Sequence, residues 1–173
     1  EYSDSAKAAL NGMNSEIAAA ARALKVMDLN ISNTAAIDAR NVAIRGYASD
    51  TEIATKLSSA LTKANDEQTL SILRAKEAYQ KVVLKKSAGK EEKAEAAKTM
   101  NRAIDDADDQ ADSAMAAARI ANATEKENAA LALIRIEYET KARLQEKSLA
   151  SSSAELQIEV AKLDAIKARG VLD

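Results

Sequence analysis

Apolar side chains recur along this chain at alternating steps of three and four, the spacing of a helix that packs on another helix. The run is densest over residues 97–121, AKTMNRAIDDADDQADSAMAAARIA, where Ala97, Met100, Ile104, Ala107, Ala111, Ala114, Ala118 and Ala121 form one seam. Most seam positions are alanine, so a facing helix has to approach closely, near the lower end of the usual separation of roughly 8–10 Å. Leu10, Met13, Ile17, Ala20, Leu24, Met27 and Ile31 keep the same alternation. They predict a first long helix from about Ser3, with Ser3 or Asp4 as its cap. Past Ile31 the next heptad position falls on Asp38, whereas Ala35, Ala39 and Val42 continue the seam only through a four-residue stutter. The polar run 30–34 is read as a distortion in a continuous, bent helix to about Arg45, with a break as the alternative.

Turn signals divide the rest. Gly46 supplies the left-handed residue that commonly ends a helix. Ser49-Asp50-Thr51-Glu52 has the form of a capping box ahead of Ile53, Leu57 and Leu61. A reversal is therefore expected at 46–49. The second helix continues through Ile72, Ala75, Tyr79 and Val82 to Lys85-Lys86-Ser87-Ala88-Gly89, and a second reversal is expected near 87–90, with Glu91 and Glu92 opening the third helix. At Asn122-Ala123-Thr124-Glu125 the phase changes, and the apolar positions resume as Ala129, Leu133, Ile136 and Leu144. A stutter is preferred there to a turn, because no glycine or proline enforces a stop. The serine cluster at 148–153, followed by a second capping-box signature from Ser152 to Glu155, predicts a break and a fourth helix through Leu156, Ile158, Val160, Leu163 and Ile166 to Gly170. The expected fold is all-α: an elongated antiparallel helical bundle of three long helices plus a shorter C-terminal helix, one domain over residues 1–173.

Composition sharpens this picture. Of 173 residues, 47% are apolar, yet alanine dominates that share, Phe and Trp are absent, and the four aromatics are Tyr2, Tyr47, Tyr79 and Tyr138. A thick globular core needs bulkier residues, so a thin core spread along helices is expected. Proline is absent, and Gly12, Gly46, Gly89 and Gly170 are the only glycines. Gly12 falls inside the first helix and weakens it by about 1 kcal/mol relative to alanine. Glu-to-basic pairs at i, i+4 (Glu52 with Lys56, Glu77 with Lys81, Glu137 with Lys141, Glu139 with Arg143) mark solvated faces.

With 25 basic and 27 acidic residues, nothing steers the chain toward nucleic acid. The absence of His and Cys removes the usual general base, thiol nucleophile and common zinc ligands. No catalytic, cofactor-binding or metal-ligating residue is assigned, and no small-molecule substrate or cofactor is implied. Asp105, Asp108, Asp109 and Asp112 share one helical face, with Asp106 beside them. A straight helix spreads such carboxylates apart and the turn-forming glycine of a calcium loop is lacking, so they are read as a solvated acidic stripe or one facing lysines across the bundle. Lys85, Lys86, Lys90 and Lys93 alternate with glutamates and are read as a solvated loop. Two glycosylation sequons occur, at Asn30 and Asn122. The chain starts at Glu and shows neither a signal peptide nor an apolar tail, so it reads as a mature domain trimmed of targeting segments.

The combination of alanine and glutamate richness, long helices joined by tight turns, and stretches such as SAMAAARIANATEKENAALAL and KSAGKEEKAEAAKTM resembles the glutamic acid/alanine-rich surface coat protein family of the trypanosome Trypanosoma congolense. The resemblance implies a structural, membrane-anchored coat protein of the insect-stage parasite, on the extracellular face of the plasma membrane. It further implies a C-terminal lipid anchor, lateral packing with copies of itself, and architectural kinship with the variant surface glycoproteins and a haemoglobin-complex receptor of the same organisms. The lack of cysteine departs from the variant surface glycoproteins and points to the simpler coat protein. The resemblance carries over no binding residue. Two other classes stand beside it, an amphipathic lipid-binding bundle and an intracellular coiled-coil scaffold.

Overall fold

The computed structural model describes residues 2–170, with side chains over residues 2–161. They form three helices and, among the described residues, no strand: α1 (Asp4–Arg45), α2 (Asp50–Val83) and α3 (Lys90–Gly170). The chain divides into two compact units, Glu1–Ala129 and Ala130–Asp173.

Local chemistry sets the ends of α1 and α2. The Ala6 N–H donates to Ser3 Oγ at 3.2 Å, so Ser3 caps α1. Gly46 ends that helix at φ 84°, its N–H donating to the Val42 carbonyl at 2.7 Å. Only glycine takes this left-handed conformation without a Cβ clash. The capping box at α2 is closed on both sides: Glu52 N–H donates to Ser49 Oγ at 3.3 Å, and Ser49 N–H donates to Glu52 Oε2 at 2.8 Å. Truncating the cap, Ser49→Ala, is expected to lower stability by about 1 kcal/mol in urea unfolding. The second reversal occupies residues 84–89. α2 stops at Val83, so Lys85 and Lys86 lie beyond it, and the basic residue in its last turn is Lys81.

Within the first unit α1 runs against α2. Tyr2 Oη donates to the Lys81 carbonyl at one end, Lys63 pairs with Asp28 midway, and Arg45 meets Glu52 at the other. α2 meets α3 in the same sense, through Gln68 to Asp108 and Lys56 to Glu125. The seam from Leu10 to Ile31 is buried or half-buried at every predicted position. The stutter expected after Ile31 does not occur. The heptad continues onto Asp38, which is 6% exposed, while Ala35 and Ala39 face solvent and Val42, the third stutter position, is half-buried. No break forms at 30–34, because Asn30, Ser32, Asn33 and Thr34 all lie on the exposed side, where they forfeit only helix propensity. Gly12 sits mid-helix with no atom within 4 Å of a Cβ built on it. Gly12→Ala should therefore stabilise the protein by about 1 kcal/mol, read as a melting temperature higher by about 2–4 °C.

On α3 the phase shift comes earlier than expected. Two successive steps of four, Ala107 to Ala111 to Met115, bring Met115, Ala118, Asn122, Glu125 and Ala129 inward and leave Ala114 and Ala121 exposed. The helix passes through 122–124 unbroken, with Thr124 Oγ1 donating to the Ile120 carbonyl at 3.1 Å. The core is thin. Ile53 is the one large side chain among the described residues that is fully buried, packed with Ala48, Ala129 and the half-buried Val42.

The second unit is helical from Ala130 to Gly170, and the fourth helix expected after 148–153 does not exist as a separate element. Serines on an exposed helical face cost little, and no glycine or proline stops the helix ahead of Ser152, so the capping-box signature there stays unused. Leu133, Ile136 and Leu144, expected to continue the seam, are exposed, as are Leu156, Ile158 and Val160. The Leu163 and Ile166 side chains lie outside the described residues.

Candidate functional site

The densest polar constellation lies where α1 turns into α2. The turn forced by Gly46 brings the last two turns of α1 beside the first turn of α2, and Glu52 gathers the resulting donors. Its carboxylate accepts from the Ser49 N–H, from Ser49 Oγ at 2.9 Å, from Asn41 Nδ2 at 3.4 Å and from the Arg45 guanidinium. Arg45 also lies over the Tyr47 ring, 5.8 Å from its centroid. The Ser49 backbone N–H, followed by Arg45 and the Ser49 hydroxyl, holds the Glu52 carboxyl down at about 2, against an ordinary 4.5. A carboxylate so occupied stays ionised at neutral pH and has no proton to give, so it works as a clamp on the reversal.

The sign of the pH dependence follows. A carboxyl depressed in the folded state contributes stability fully above its unfolded value, and loses it as pH falls from about 4.5 toward 2. Glu52→Gln should flatten the stability profile in that acid window relative to the parent, followed by thermal unfolding at successive pH values.

Farther along, Lys63 donates to Asp28 at 2.6 Å with Glu67 at 3.8 Å, and this pairing raises the lysine's pKa above 10.5. Lys56 pairs with Glu125 on α3 rather than with Glu52, and Glu139 pairs with Arg135 rather than with Arg143. Glu77 with Lys81 and Glu137 with Lys141 form as the spacing implies. None of the cross-helix pairs was readable from i, i+4 spacing, because each depends on the register between helices. Two buried polar atoms in this unit lack a hydrogen-bond partner on seam positions, Asp38 Oδ2 and Asn122 Oδ1.

Asp105, Asp106, Asp108, Asp109 and Asp112 are all exposed, and Asp108 Oδ1 accepts from Gln68 Nε2 at 2.8 Å. Among the described residues no group of three or more acidic, His or Cys side chains is placed to hold a metal ion, and no helix is long and apolar enough to cross a membrane. Lys85 lies 3.7 Å from Glu92 beside the second reversal. Of the two sequon asparagines, Asn30 is exposed on α1 and Asn122 is half-buried on the α3 seam. Two open grooves flank the helices. One of 530 Å³ runs along α1 past Val26, Asn30 and Thr34 to Ser59, and one of 560 Å³ lies between α2 and α3 over Tyr79, Val82 and Met100, rimmed by Glu92 and Glu95. Neither groove converges several polar groups on one point, as a substrate site would.

The described residues form an all-helical fold whose densest polar cluster is the Glu52 clamp at the first reversal. No family model matches the chain, and neither a curated protein nor a solved structure shows significant similarity to it.

Proposed function

We propose that this chain is a structural protein of the cell surface, an elongated antiparallel bundle held to the membrane by a C-terminal lipid anchor and packed against copies of itself as a protective coat of an insect-stage trypanosome. One observation carries the reading. The fully buried positions of the α3 seam are all alanine, Ala107, Ala111 and Ala129, so the core that α3 shares with its neighbours is thin. Such helices make a slender body whose working part is its surface. The exposed Asn30 sequon suits an extracellular location. The test uses cells expressing the full-length precursor. Labelling by a membrane-impermeant reagent, together with release by a phosphatidylinositol-specific phospholipase, is the expected result. A protein protected from the reagent in intact cells would overturn the proposal.

A second reading, an intracellular coiled-coil scaffold, draws on a different observation. Large apolar side chains stay exposed along residues 131–160, which a coat subunit complete in itself leaves without a use.

A further inference from the structure

The exposed apolar side chains of the second unit are ordered. Leu131, Ala142 and Ser153 follow one another at steps of eleven, as do Ile134, Gln145 and Leu156, and again Tyr138, Leu149 and Val160. Eleven residues in three turns is 3.67 per turn, close to the helix's own 3.6, so the nine positions stay on one side of a nearly straight helix. The six large members are between 56% and 77% exposed.

The order of sizes along the stripe identifies the partner. Laid antiparallel on itself about Gln145, the stripe matches member to member: Leu131 meets Val160, Ile134 meets Leu156, Tyr138 meets Ser153, and Leu149 meets Ala142. Either side of the axis Tyr138 falls opposite Ser153 and Leu149 opposite Ala142, large against small as interdigitation needs, while Leu131 on Val160 and Ile134 on Leu156 close the two ends of the stripe with apolar pairs. Gln145 meets its own symmetry mate, and two amides facing each other across a two-fold axis exchange donor and acceptor. A parallel pairing would instead set Tyr138 on Tyr138 and Ser153 on Ser153, alternating crowding with voids. A lipid surface has no use for Gln145 and Ser153 in mid-stripe, and Leu133, Ile136, Leu144 and Ile158 lie away from it, so no single lipid-facing side exists. We propose that residues 131–160 pair antiparallel with the same segment of a second copy of this chain, as an isologous two-helix contact. Glu146 of each chain flanks the axis, a like-charge pair that keeps the association weak and that salt screens.

The inference rests on the scaffold reading, because copies standing the same way up on one membrane cannot pair in this sense. The full chain, which has no cysteine, allows a direct test. Sedimentation equilibrium over the micromolar range should show a reversible dimer, weakened about tenfold or more by Leu149→Glu with helicity unchanged. Under mild oxidation, a mixture of Leu131→Cys and Val160→Cys chains should give the mixed disulfide in preference to either homodimer. Predominant Leu131→Cys homodimers would overturn the antiparallel register while leaving self-association, and the scaffold reading, intact. A chain that stays monomeric throughout, or that instead floats with phosphatidylcholine vesicles, would overturn the pairing and the scaffold reading together.

Discussion

Ile53→Ala is expected to lower the stability of this protein by about 3 kcal/mol, within the 2–5 kcal/mol found for truncating a buried Ile or Leu. Ile53 is 0% exposed and sits where α2 leaves its capping box, under Ala48 and against Val42 and Ala129. Those neighbours are small and belong to three different parts of the chain: the reversal, the end of α1, and α3. Alanines have no flexible side chain to swing into a void, so the cavity left by the substitution should stay largely open. In a chain of this length the loss should appear as a fall of about 6–12 °C in melting temperature. Ile53→Val should cost about 1 kcal/mol. Ile44→Ala, at a residue 76% exposed on the last turns of α1, should cost only a few tenths. Urea unfolding of the three variants reads the order directly. An Ile53→Ala loss no larger than that of Ile44→Ala would mean the cluster does not join the three helices into one cooperative unit.

What the sequence made legible was local. Ser3, Gly46 and the Ser49–Glu52 box each act within a few residues, and each sits where its chemistry required. Ser152 to Glu155 shows why the same signature failed elsewhere. A capping box starts a helix only where the preceding one has stopped. Gly46, at φ 84°, supplies that stop three residues before Ser49, and no glycine does so ahead of Ser152. The helix therefore runs on, and the fourth element disappears. Seam phase was harder to read because alanine carries so little contrast. In a stretch that holds Ala111, Ala114, Ala116, Ala117 and Ala118, several registers present almost equal apolar faces. Met115 was the bulky residue able to mark the true one, and the structure turns it inward. The Glu52 clamp was half visible. Its capping role follows from spacing, whereas its capture of Arg45 and Asn41 depends on the reversal folding α1 back across it.

The sequence predicts a stutter ahead of Asp38, since a heptad seam seldom admits an acid. The structure keeps the seam in phase and buries the carboxyl instead, with Oδ2 unpartnered. A buried acceptor without a donor carries a desolvation penalty of about 1–3 kcal/mol, so removing it should help. Asp38→Leu is expected to raise stability by about 2 kcal/mol, visible as a higher urea midpoint at unchanged slope. Leucine is bulkier than aspartate, and overpacking would offset part of the gain. Asp38→Ala separates the two effects. It removes the orphan oxygen without adding volume and also improves helix propensity, so it too should stabilise. A single polar residue on a seam can fix the register of packed helices at the expense of stability, and Asp38 is the only acidic or basic residue among the described buried residues. The stabilised variants should therefore hold their register less strictly. Disulfide trapping reads this, with cysteine at Asp28 on α1 and Lys63 on α2, an ion pair in the parent: the parent background should form that crosslink almost alone, and Asp38→Leu should also yield crosslinks between Lys63→Cys and cysteines placed one turn to either side of residue 28. If both Asp38→Leu and Asp38→Ala destabilise the protein, the carboxylate has a bound partner, an ordered water or a cation, and its burial is a binding arrangement rather than a seam defect.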